Sequence, residues 1–153
     1  EKRIFTFILL LFLSSCGYEA IHSKKNKINY DFSISELKFV GDRDVNLKIK
    51  EKLNNYTLVK KDKDFTLEIS SILEKLILTK NDAGDATNFK IEITVNINIF
   101  IDGKLKSNSL MVESFNYNNS PNKFELQNYE KEIKNNLANT VSEKLIFELT
   151  KVQ

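Results

Sequence analysis

The 153-residue sequence contains one cysteine, Cys16, and one histidine, His22. A single thiol excludes an intramolecular disulfide and any zinc site built from several thiolates. A single imidazole excludes a chelating histidine pair, and His22 sits in a polar stretch with no nucleophile or base beside it. There are four glycines and one proline, and they form neither a phosphate-cradling loop nor a nucleophile elbow. Tryptophan is absent, and arginine occurs only at Arg3 and Arg43. The formal net charge of +2 gives no electrostatic case for nucleic acid. Nearly all the basic residues are lysines, so a local lysine cluster carries little information by itself. Glu92 and Glu113 fall on expected strand faces, where a solvated carboxylate is the ordinary state. No catalytic, metal-binding or cofactor-binding constellation emerges, and the chain reads as non-enzymatic.

The distinctive stretch is at the start. Lys2 and Arg3 precede an almost wholly apolar run from Ile4 to Leu13, broken only by Thr6. A helix of that length rises only about 15 Å against a hydrocarbon core of roughly 30 Å, too short for a spanning anchor. A basic start, a short apolar segment and small residues at its end describe a secretory leader. Leu13-Ser14-Ser15-Cys16 then looks like a bacterial lipobox, in which the cysteine is acylated and the chain is cut just before it. The expected organisation is a leader over 1–15, a lipidated tether over 16–29 and one domain over 30–153. Losing Glu1, Lys2 and Arg3 with the leader removes one net positive charge and leaves +1. Lys24, Lys25 and Lys27 in the tether could meet anionic head groups.

Within the domain, Tyr30, Phe32 and Ile34 alternate with polar residues, and Leu37 and Phe39 continue on the opposite parity. That slip predicts a strand with a bulge or bend at Ser35-Glu36. Asp42 or Asp44 can cap a helix with Val45, Ile49 and Leu53 on one stripe. Lys60–Asp64 reads as a charged turn. Phe65, Leu67 and Ile69 open a second strand, whose pattern becomes crowded from Ile72 to Leu78. Asn81–Asn88 reads as a polar loop. Phe89–Ile101 is the strongest signal, with every odd position apolar. Asp102-Gly103 predicts a type I′ hairpin and a return strand over Lys104–Asn118. Asn122, with Glu125 three residues on, predicts the cap of a long helix carrying Leu126, Tyr129, Ile133, Leu137, Val141, Leu145 and Leu149. The fold class is therefore α+β in two layers. A mixed four-stranded sheet carries both helices on one face, in the order β-α-β-β-β-α.

Asparagine is a poor strand former, yet Asn96, Asn98, Asn108 and Asn116 fall on the polar side of the expected sheet. That face is either simply wet or meets a partner through Asn96 and Asn98.

The order of elements behind Cys16-Gly17-Tyr18 resembles the LPS-assembly lipoprotein family, LptE, in its alphaproteobacterial form. Arg43 before the first helix, Ser114-Phe115-Asn116-Tyr117-Asn118 at the end of the last strand, and Leu137-Ala138, Val141 and Leu145 in the closing helix share in the likeness. Ala20 and His22 stand where the family runs to a proline and a tyrosine. The resemblance implies a lipoprotein anchored through Cys16 in the inner leaflet of the outer membrane, on the periplasmic side. It would plug and help assemble an LptD-type β-barrel and would contact lipopolysaccharide. Lys80, Lys90, Lys104 and Lys106, near expected loops, are the candidates for that last contact. The alternative is a lipid-anchored periplasmic carrier for a lipid or small ligand, which needs an apolar cavity.

Overall fold

The computed structural model describes residues 31–152, so Cys16, the leader and the tether lie outside the described residues. The chain runs β1 (Ser33–Gly41), α1 (Arg43–Leu53), a 3-10 turn (Asn54–Tyr56), β2 (Asp64–Lys80), β3 (Ala86–Ile101), β4 (Lys104–Asn118) and α2 (Lys123–Lys151). The four strands form one sheet in the order β1-β2-β3-β4. β1 is parallel to β2, joined through α1 as a parallel crossover requires, and the other neighbours are antiparallel. The expected α+β class, element order and two-helix, four-strand composition are all present.

The local signals act as their chemistry dictates. Ser35 is the extra residue of a bulge: Ile34 faces Phe65 and Glu36 faces Thr66. Asp42 caps α1 by accepting from the Val45 amide at 2.9 Å. Asn122 caps α2, its side chain accepting from Phe124 and Glu125. Asp102 and Gly103 both have positive φ, 49° and 72°, as a type I′ turn demands. The connection between β2 and β3 is tighter than the eight-residue loop expected, because Ala86, Thr87 and Asn88 already belong to β3. Asn81 closes that turn by accepting the Asp85 amide at 2.8 Å. α1 ends at Leu53, and the following residues tighten into the 3-10 turn.

The inner face of the sheet is a continuous apolar floor. Ile91, Ile93, Val95, Ile97 and Ile99 are fully buried along β3, beneath Val45, Ile49 and Leu53 of α1 and Leu137, Val141, Leu145 and Leu149 of α2. Ala138 and Ser142 are also buried, and the Ser142 hydroxyl donates to its own helix at Ala138 O, 2.7 Å, so no polar group is stranded. The first turns of α2 are less covered: Leu126 is half-buried and Tyr129 exposed.

β1 turns into α1 at a tight joint. Gly41 has φ +98°, and a Cβ there would lie 1.9 Å from Ser71 O, the atom that accepts the Asp42 amide at 3.0 Å. The buried Ser71 hydroxyl donates to Asn46 Oδ1 at 2.8 Å, and Asn46 donates to Val40 O at 3.2 Å. Gly41→Ala is expected to lower stability by more than about 2 kcal/mol, because a left-handed backbone and a backbone clash add. A urea melt with an unchanged midpoint would refute this account of the joint.

Candidate functional site

The outer face of the sheet has no covering layer among the described residues, and the register places its side chains in rows. One row runs Lys38, Glu68, Asn98, Asn108, and the next Val40, Ser70, Asn96, Leu110. Ile72, Thr94 and Val112 form the third. Asn108 donates through its amide nitrogen to Asn96 Oδ1 at 2.8 Å and to Asn98 Oδ1 at 2.7 Å. The three asparagines thus form an amide bridge across β3 and β4. A shallow depression of about 420 Å³ lies beside it, lined by Lys38, Val40, Glu68, Ser70, Asn96 and Asn98.

Large aliphatic residues stand around those amides. Val40 is 69% exposed, Leu110 65%, Ile72 56% and Val112 50%. Scattered exposed aliphatics need no explanation, but four in adjacent rows of one flat sheet face form a patch. The sequence reading found the asparagines and missed the aliphatics. The signals were there: β2 is crowded from Ile72 to Leu78 because apolar residues stand on both of its faces, and Leu110-Met111-Val112 is an apolar triplet in which only Met111 turns inward.

A second cluster lies on the inner face at the far end of the sheet. Glu130 of α2 accepts from Lys75 Nζ at 2.7 Å and from the Tyr117 hydroxyl at 2.8 Å, both on Oε1. The Lys75 ammonium also stands 4.3 Å from the Phe89 ring centroid. β1 pairs with β2 only as far as Ser71, so β2 beyond that point is an open edge. An inward-turned lysine is one device that blunts such an edge. Burial raises the Tyr117 hydroxyl well above its ordinary pKa, and the hydrogen bond and charge of Glu130 add to the effect. The sign follows from linkage. The contribution is fully present below the ordinary tyrosine value of about 10 and is lost as pH rises from there toward the raised folded value. Stability is expected to fall above about pH 10, and Tyr117→Phe is expected to flatten that fall in urea melts run across the alkaline range.

The other ionisable residues singled out from sequence sit apart. Glu113 is not a solvated carboxylate: it lies on the inner side of β4 and pairs with Lys144 of α2. Glu92 pairs with Lys90 at 2.7 Å. Lys90 lies within β3, in register with Leu76 and Asn116 on the outer face. Lys80 ends β2 at one end of the sheet, whereas Lys104 and Lys106 begin β4 at the other, so the four lysines are not gathered at one place. Among the described residues, no group of three or more histidine, cysteine, aspartate or glutamate residues is placed to hold a metal ion. Also among them, no helix is long and apolar enough to cross a membrane.

No protein-family model matches the chain, and no curated protein matches it in sequence. Solved structures do. Rare lipoprotein B from Shewanella oneidensis is 17% identical, with a TM-score of 0.53 over 74% of this chain and 95% of that one. A minor lipoprotein from Acinetobacter baumannii is 13% identical, with a TM-score of 0.57 over 80% of this chain and 92% of that one. The chain has the fold of these bacterial lipoproteins. At such identity the likeness extends to the arrangement of sheet and helices and not to individual residues.

Proposed function

We propose that the chain is a non-enzymatic, lipid-anchored subunit of outer-membrane lipopolysaccharide assembly. In this reading acylated Cys16 holds it on the periplasmic side of the outer membrane. The domain seats its open sheet face inside an LptD-type β-barrel, which it plugs and helps to assemble. The observation that carries the reading is that open face, where Val40, Ile72, Leu110 and Val112 stand exposed around the Asn96–Asn98–Asn108 bridge. Aliphatic residues would supply the dry centre of a contact, and amides that both donate and accept would match polar groups of a barrel wall. The lipoprotein fold neighbours and the lipobox-like Leu13–Cys16 stretch support the anchored half of the reading. The carrier alternative needs an apolar cavity, but the space between sheet and helices is filled by side chains of zero or near-zero exposure. Lys80, Lys90, Lys104 and Lys106 are the candidates for lipopolysaccharide contact, divided between the two ends of the sheet.

The test is a photo-crosslinking residue placed at Leu110 in the intact chain in cells. The expected product is a crosslink to an outer-membrane β-barrel of much greater mass, identified by mass spectrometry, with lipopolysaccharide in the purified complex. A partner-free monomer after mild detergent extraction would count against the reading.

A further inference from the structure

We propose that the turn over 57–63 rests on an anionic lipid surface, with Leu58 and Val59 seated among the head groups and Lys60 and Lys63 on lipid phosphates. Leu58 is 77% exposed and Val59 66%, two adjacent aliphatics at the tip of a turn where no packing accounts for them. The residues that follow, Lys60 to Lys63, hold three lysines and one aspartate, Asp62. Lys60 and Lys63 take part in none of the ion pairs among the described residues. The Lys63 ammonium stands 5.8 Å from the Phe65 ring centroid, a contact that leaves its charge without a carboxylate partner. An apolar tip backed by the Lys60 and Lys63 charges fits a head-group boundary, where apolar burial and attraction to anionic lipid add.

The position of the turn identifies the occupant. The Ser33 amide donates to Lys63 O at 2.8 Å, the Lys61 amide donates to Ser33 Oγ at 3.0 Å, and that hydroxyl donates to Asp64 Oδ1 at 2.8 Å. The turn is thus fastened to the first residues of β1, where the chain from Cys16 enters the domain. Phe32 stacks on Tyr56 at 5.0 Å on the other side of the same joint. In register, Asp64 lies at the sheet end that also holds the Asp102-Gly103 hairpin and Lys104. An anchor at Cys16 would attach to this end of the domain, and not to the Lys75–Glu130 end, so this end is the one nearest the anchor along the chain. The inference rests on the anchored reading for that orientation and on the exposed tip and its charge for the contact.

The experiment uses the full chain in vesicles of phosphatidylethanolamine and phosphatidylglycerol, with a polarity-sensitive fluorophore at Leu58→Cys or, at the far end of the domain, at Lys131→Cys. Mass spectrometry reports acylation of Cys16 independently. Quenching by brominated acyl chains is expected at position 58 and not at 131. Each lysine near an anionic surface changes partition about fivefold, so Lys60→Glu with Lys63→Glu should abolish that quenching while the protein stays with the vesicles. Absence of quenching at 58 in acylated protein, or equal quenching at both positions, overturns the proposal. So does a protein crosslink from position 58 in place of lipid contact. An unacylated Cys16 would defeat the anchored reading instead. Flotation of the unlabelled chain with the same vesicles would then decide the turn. Flotation weakened about twentyfold or more by the two lysine reversals supports it, and no flotation overturns it.

Discussion

Leu110→Asp combined with Val112→Asp is expected to detach the protein from the proposed barrel partner while leaving the domain folded. Both side chains stand in the open, so in the free domain the new carboxylates remain in water and stability should change by no more than about 0.5 kcal/mol each. In the proposed complex those carboxylates would be buried opposite a wall with no arranged counter-charge, which costs several kcal/mol apiece. Since 1.4 kcal/mol is tenfold in affinity, recovery of the complex should fall at least about a hundredfold. Replacing Asn96 and Asn98 with bulky residues should weaken assembly less, because a broken amide bridge costs hydrogen bonds and fit but adds no charge. The paired measurement is pull-down of the barrel from outer membranes and a urea midpoint for each variant. Normal assembly by a folded Leu110→Asp, Val112→Asp chain would mean that the face is merely wet and that the partner, if any, binds elsewhere.

The elements were legible wherever one local rule governed them. The parity slip at Ser35-Glu36 gave the bulge, Asp102-Gly103 the hairpin, and Asn122 the start of the last helix, each decided by a few adjacent residues. Strand order was not legible: the β-α-β start implies a parallel strand and so a mixed sheet, but nothing near β1 says that it pairs with β2 at the sheet edge. That pairing joins residues about thirty positions apart, from Ser33 with Asp64 to Gly41 with Ser71. The Lys75–Glu130–Tyr117 cluster was hidden for the same reason, being drawn from two strands and a helix. Glu113 misled because strand alternation alone does not say which face a helix will cover, and Lys144 arrives from above the inner one. The open face was half legible. Asparagines in strands are conspicuous by propensity, whereas Val40, Ile72, Leu110 and Val112 look like core residues until the register turns them outward.

Cys16→Ser is expected to remove the protein from the outer-membrane fraction altogether. The thiol is the only one in the chain, so no other cysteine can accept the acyl groups. Each buried methylene contributes about 0.8 kcal/mol, and one chain of myristoyl length gives only reversible binding, so stable anchoring needs more than one chain or a basic patch beside it. The fifteen residues from Cys16 to the start of the domain can extend to no more than about 50 Å. In the anchored reading the leaflet and the start of β1 are therefore held within about 50 Å of each other. That reach is long enough for the domain to enter the proposed barrel from the periplasmic side and for the Leu58-Val59 tip to meet the leaflet. The measurement is membrane fractionation with mass spectrometry of the N-terminal peptide. Intact Cys16 should carry acyl mass and no leader, and the serine variant neither acyl mass nor outer-membrane recovery. Outer-membrane recovery of the serine variant at the level of the parent would show that the barrel contact alone holds the domain, with the lipid dispensable.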